Sequence, residues 1–106
     1  MTTLTRLSAR SLCEHIKLCS HLTNARLTAV AKPLNDIIEQ LIQRLNEDEF
    51  NREIVEMLDQ RLTIIESELS QISHEIKDNQ VFILERTVAE GIRVLEKLRD
   101  RFRHAA

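Results

Sequence analysis

The longest unbroken pattern in this sequence is a row of apolar residues at alternating spacings of three and four. Two apolar positions in every seven are typical of a coiled-coil seam, which is narrower than the apolar face of an ordinary core helix. The pattern predicts one long helix that packs along another helix, in this chain or in a second one. This row, called the seam below, contains no Gly or Pro and consists of Val55, Leu58, Leu62, Ile65, Leu69, Ile72 and Ile76.

The composition favours helices throughout the chain. Its 106 residues include one Gly, one Pro, three Phe and no Trp or Tyr. Strands favour β-branched and aromatic residues, and hairpin turns favour Gly. A chain of this length corresponds to one domain. We therefore predict a single all-α domain over residues 1–106, an antiparallel helical hairpin or four-helix-type bundle that dimerisation completes.

Apolar spacing predicts four helical segments, and local signals predict their boundaries. Thr5 or Ser8 can cap the first helix, and Pro33 either opens the second helix or kinks a continuous one, because proline lacks an amide hydrogen. The polar run Asn46–Glu49 is the predicted turn after it, and Asp48 is the predicted cap of the seam helix. The predicted helices span residues 5–31, 33–46, 50–77 and 80–103.

The last helix repeats the three-four spacing and includes a glycine in its apolar row. Glycine lowers helix propensity by up to ~1 kcal/mol relative to alanine. Either the close approach of a neighbouring helix or a packing gap accounts for Gly91. The row consists of Val81, Leu84, Val88, Gly91, Leu95, Leu98 and Phe102.

Charge is unevenly distributed along the chain. Residues 1–32 carry a balance of +4, residues 33–78 of −8 and residues 79–106 of +2, which gives a total of −2. The total favours neither nucleic acid nor a membrane surface as a partner, and no apolar run reaches the ~18 residues of a membrane span. Basic ends around an acidic middle suit an antiparallel bundle or a self-complementary oligomer, and solvated helix faces account for them equally well.

Two cysteines and two histidines near the N-terminus are the candidate metal ligands. On a helix only His15 and Cys19 share a face, at positions i and i+4, and two ligands do not complete a zinc site. We therefore predict no metal and no cofactor, with Cys19 in the core, Cys13 on its flank, and His15 and His21 near the surface. The cysteine spacing, together with the lack of an apolar leader, predicts a cytoplasmic protein.

Residues 20–30 resemble the phosphoacceptor box of two-component histidine kinases. Leu22 and Arg26 stand where that family has an acid and a proline. The matching residues of the box are Ser20, His21, Leu27, Thr28 and Ala29, and Val30 is close to the isoleucine of the family. About forty residues later the family's returning helix is matched by Arg61, Leu62, Ile65, Glu68, Leu69, Ile72 and Ser73.

The resemblance covers residues 20–73, about half the chain, and implies a hairpin that dimerises into a four-helix bundle with an exposed histidine. No ATP-binding segment follows, so it implies a phosphorelay intermediate rather than a kinase. His21 is then the phosphoacceptor, because this chemistry needs an exposed imidazole as its nucleophile. The segment Ser73–Lys77 also resembles the box and makes His74 the second candidate, with Glu75 directly after it.

The residues by themselves favour a non-enzymatic interaction module, such as an adaptor, a chaperone or a small regulatory subunit. Such a module lays an apolar helix face against a partner helix. Because the seam is narrow, we expect it to be that interface, and the partner to be a second copy or another helical protein. Histidine phosphotransfer is the alternative. Nucleic-acid binding is not favoured, because the basic C-terminal run carries Glu96 and Asp100 within it.

Overall fold

The computed structural model describes residues 3–47 and 49–104, and this part of the chain is all-α. Successive helices run antiparallel in a bundle about 45 Å long and 22 × 16 Å across. The helices are α1 (Thr3–Cys19), α2 (Ala25–Glu47), α3 (Arg52–Glu75) and α4 (Val81–His104). The predicted all-α bundle is confirmed.

The four helices form a flattened bundle. α2 and α4 touch across its short diagonal, whereas α1 and α3 make no contact over the described residues. α1 packs on α2 and α4. α3 packs most extensively on α4 and least on α2. Of the four interfaces between neighbouring helices, the one between α2 and α3 is therefore the least tightly packed.

The seam of α3 faces the core of its own chain. Its first six side chains, from Val55 to Ile72, are at most 6 % exposed, and Ile76 follows the helix as its half-buried C-cap. Helices in four-helix bundles use the same two positions in seven to contact their neighbours. The seam, which we expected to be the interface with a partner, is therefore covered by its own chain in this fold.

The first predicted helix is divided in a place that its apolar pattern does not reveal. The connection between α1 and α2 is formed by residues 20–24, whereas Pro33 lies inside α2. Asn24 caps α2, because its Oδ1 accepts hydrogen bonds from the amides of Arg26 (2.9 Å) and Leu27 (3.4 Å). Proline has no amide hydrogen to donate to the carbonyl group four residues earlier in the helix. Because Pro33 is exposed, water can bind that carbonyl group instead.

The other predicted caps also differ from the structure. α1 begins at Thr3, so Thr5 and Ser8 lie inside the helix and do not precede it. Asn51 caps α3 and accepts a hydrogen bond from the amide of Ile54 at 2.9 Å. Asp48, the predicted cap, lies outside the described residues.

Gly91 lies where three helices approach closely. A Cβ atom at this position would come within 2.9 Å of the terminal Cδ1 atoms of Ile38 on α2 and Leu62 on α3. Both of these side chains are fully buried. Of the two explanations for this glycine, the structure supports close approach and not a packing gap.

Candidate functional site

Both candidate phosphoacceptors lie near one end of the bundle, where the α1–α2 and α3–α4 connections meet. Gln80 joins these connections, since its Oε1 accepts from the amide of Thr23 (3.0 Å) and its Nε2 donates to the Thr23 hydroxyl (3.0 Å). Arg26 and Glu75 form a 2.5 Å ion pair beside them. These contacts fasten the two hairpins together at this end.

The two histidines differ in their structural setting. His21 is exposed in the α1–α2 connection, and its imidazole has no hydrogen-bond partner among the described residues. His74 is exposed in the last turn of α3. The structure thus places His21 outside a helix, whereas the predicted helix over residues 5–31 contained it.

The cysteines and His15 lie where the sequence analysis predicted. Cys19 is buried with its Sγ 3.5 Å from the Thr87 hydroxyl oxygen, and Cys13 is exposed. Burial raises the pKa of the Cys19 thiol, and the hydrogen bond to Thr87 opposes that rise. His15 is half-buried, with its Nδ1 2.8 Å from the carbonyl oxygen of Ser11. No three metal-ligating side chains cluster in the described part of the chain.

An open groove follows the loose contact between α2 and α3. We call it the α2–α3 face and define it by Pro33, Asp36 and Ile37 of α2 and Arg61, Ile64 and Glu68 of α3, all of which line the groove. Ile64 is 60 % exposed, and Met57, seven residues before it on α3, is 38 % exposed. Two large apolar side chains therefore lie on the outer surface of one helix beside this groove.

The floor of the groove belongs to the apolar core but is not completely covered. Ile37 and Ile65 retain 6 % and 5 % exposure, whereas Leu34 and Leu62 next to them are fully buried. The limited packing of α3 on α2 accounts for this difference. A side chain laid along the groove would cover both isoleucines.

α3 presents a second row to solvent, also at three-four spacing, which the sequence analysis missed. Charged and amide residues occupy most of its positions, so the row does not appear as an apolar stripe. Met57 and Ile64, one heptad apart, are the signal that could have revealed it. This outer row consists of Ile54, Met57, Arg61, Ile64, Glu68, Gln71 and Glu75.

The charges on the two sides of α3 are paired differently. On the α4 side, Arg99 contacts both Glu56 (3.0 Å) and Asp59 (2.9 Å), and these hydrogen bonds raise its pKa further. On the α2 side, Arg61 and Glu68 are exposed and have no ion-pair partner among the described residues. The α2–α3 face therefore presents one basic group, Arg61, and two acidic groups, Asp36 and Glu68, none of which has an ion-pair partner among the described residues.

No family model, curated protein or solved structure matches this chain. Within the described residues, no helix has the length and apolar character needed to cross a membrane.

Proposed function

We propose that this chain is a non-enzymatic protein–protein interaction module, of the adaptor, chaperone or small regulatory kind, that binds an amphipathic helix on its α2–α3 face. The observation that carries the proposal is the exposure of Ile64 beside a groove floored by Ile37 and Ile65. A helix bound there would insert apolar side chains spaced by three, four and seven residues. The seam residues pack in the core on the opposite side of α3 and so fix the position of the helix that carries this surface.

The exposed apolar area sets the expected strength of such an interaction. Complete burial of a Met or Ile side chain contributes about 1.5–3 kcal/mol. Ile64 and Met57 are already partly covered, so together they contribute about 1.5–3 kcal/mol on this scale. Association costs at least about 4 kcal/mol in lost freedom of motion. A partner must therefore make further contacts along the groove.

Photo-crosslinking followed by reconstitution tests the proposal. A photoreactive residue at position 64 identifies the protein bound in cells, and its affinity for the purified chain is then measured by calorimetry. We expect Ile64→Glu to weaken binding at least about tenfold, because the new carboxylate loses solvation in the groove. Phe82→Glu is the matched control, since Phe82 on α4 is 62 % exposed and lies away from this face.

Two outcomes would contradict the proposal. One is equal weakening by Ile64→Glu and Phe82→Glu, which would place the contact elsewhere or make it non-specific. The other is unchanged affinity for Ile64→Glu while the variant keeps the helical content of the original chain.

Histidine phosphotransfer is the second candidate function. The exposed imidazole of His21, which has no hydrogen-bond partner among the described residues, favours it as a nucleophile. Incubation with phosphorylated receiver domains should then give acid-labile phosphohistidine that His21→Ala abolishes. Loss of the label only in His74→Ala would move the site to His74. A label that survives both substitutions, or no label with several receivers, would exclude this function.

A further inference from the structure

We infer that the helix which the α2–α3 face binds is α3 of a second copy, packed antiparallel about a twofold axis beside Ile64. This inference rests on the proposed function and names the partner of that same surface. A twofold contact uses one surface patch on both copies, so the patch must be complementary to itself. The outer row of α3 meets this condition.

Ile64 is the most exposed of the three apolar residues of the outer row, which are Ile54, Met57 and Ile64. Met57 lies seven residues before Ile64, and Gln71 lies seven residues after it. In an antiparallel pair about this point, Ile64 packs beside the partner's Ile64, and Met57 lies over the partner's Gln71. Each copy thus covers the most exposed apolar side chain that α3 presents.

The charges of the outer row reverse sign across the same point. Arg61 lies three residues before Ile64 and Glu68 four residues after it, and both are exposed without an ion-pair partner among the described residues. An antiparallel copy places Arg61 beside the partner's Glu68, and Glu68 beside the partner's Arg61. A parallel copy would place like charges together, so electrostatic complementarity selects the antiparallel arrangement.

The acidity of α3 does not prevent this contact. The helix contains six acidic residues and two arginines. Arg99 pairs with Glu56 and Asp59, and Arg26 pairs with Glu75. Two arginines of neighbouring helices therefore offset two of the six negative charges of α3 before a second copy approaches.

The other large exposed apolar residues are arranged differently. Leu7 and Leu18 of α1 are eleven residues apart and lie on either side of the oppositely charged Arg10 and Glu14. Phe82 is the one large exposed apolar residue described on α4. Neither surface places opposite charges on both sides of a central apolar residue in the way that α3 does.

Charge reversal tests the inference in purified protein. Analytical ultracentrifugation should show the original chain self-associating below about 1 mM, the weak end of specific binding. Arg61→Glu and Glu68→Arg should each weaken self-association about tenfold, because each turns two attractive pairs into two repulsive ones. An equimolar mixture of the two variants should recover association, since opposite charges face each other in the mixed dimer.

Arg10→Glu is the matched control, because Arg10 is exposed on α1, which makes no contact with α3. We expect it to associate like the original chain. Circular dichroism should show equal helical content in all variants, so that a loss of association is not a loss of folding.

Three results would overturn the inference: a monomeric original chain up to about 1 mM, single variants that associate like the original, or a mixture that stays dissociated. A monomeric chain that binds a different purified protein through Ile64 removes the second-copy inference and leaves the proposed function standing. If neither a second copy nor another protein binds at Ile64, both are overturned.

Discussion

At the scale of single residues, Gly91 marks the tightest approach between helices. Replacing it with alanine gains up to ~1 kcal/mol of helix propensity, but the new methyl group must displace the terminal atoms of Ile38 and Leu62 from 2.9 Å. Such overpacking costs about 1–3 kcal/mol. We expect Gly91→Ala to lower the free energy of unfolding by about 1 kcal/mol in a urea titration.

Ala89 provides the reference for that measurement, because it is exposed two residues earlier on the same helix. Ala89→Gly should report the propensity difference alone, about 1 kcal/mol. If Gly91→Ala instead stabilised the protein by that full amount, the close approach of α2 and α3 to α4 would be refuted.

Glu90 is the carboxylate whose titration should affect stability. Its pKa is held below the ordinary value of 4.5, first by the hydrogen bond from Arg93 and also by the hydroxyl of Ser11, which donates at 3.1 Å, while burial opposes both. Because this pKa is lower in the folded state than in the unfolded state, ionised Glu90 stabilises the fold. The stabilisation is complete when the pH is above the pKa of Glu90 in the unfolded state, and it is lost as the pH falls through the pKa in the folded state.

Thermal unfolding of Glu90→Gln checks this pH dependence. The variant should be less stable than the original chain at neutral pH by up to about 1 kcal/mol, because the Arg93 partner is half exposed. The difference should shrink as the pH falls through the lowered pKa of Glu90 and disappear below it, where both side chains are neutral. Glu85→Gln, at an exposed position without a partner among the described residues, should show no such trend. A difference for Glu90→Gln that persists at low pH would contradict the account.

At the scale of elements, apolar spacing predicted α3 and α4 well because it directly reflects which side chains face the core. The predicted ranges 50–77 and 80–103 differ by no more than two residues from Arg52–Glu75 and Val81–His104. The break at residues 20–24 was missed because Cys19 and Leu27, on either side, both enter the core and continue the predicted face. Only the capping contacts of Asn24 reveal that break.

Capping of α3 by Asn51 is testable by substitution. Asn51→Ala should lower the free energy of unfolding by about 1 kcal/mol, because the Ile54 amide loses the side-chain oxygen that accepts its hydrogen. Asn46→Ala, at an exposed position in the last turns of α2, should have little effect or be slightly stabilising. Equal effects of the two substitutions in urea titrations would contradict the capping role of Asn51.

At the scale of the whole molecule, the sequence did not distinguish a seam covered by its own chain from one covered by a partner, because both use the same two positions in seven. The candidate binding surface was not predicted, because charged and amide residues such as Arg61 and Glu68 separate the three apolar members of the outer row. The loose contact of α2 with α3, which exposes that row, arises from the packing of all four helices.

The central claim is that one chain completes its own core and associates only through the outer row of α3. Thermal unfolding of Arg61→Glu over a hundredfold range of dilute concentrations tests this most directly. We predict one cooperative transition whose midpoint does not change with concentration, because no partner is needed to bury the seam. A midpoint that falls steadily on dilution, or a chain that is unfolded when dilute, would show that the seam requires a second chain and would contradict the account.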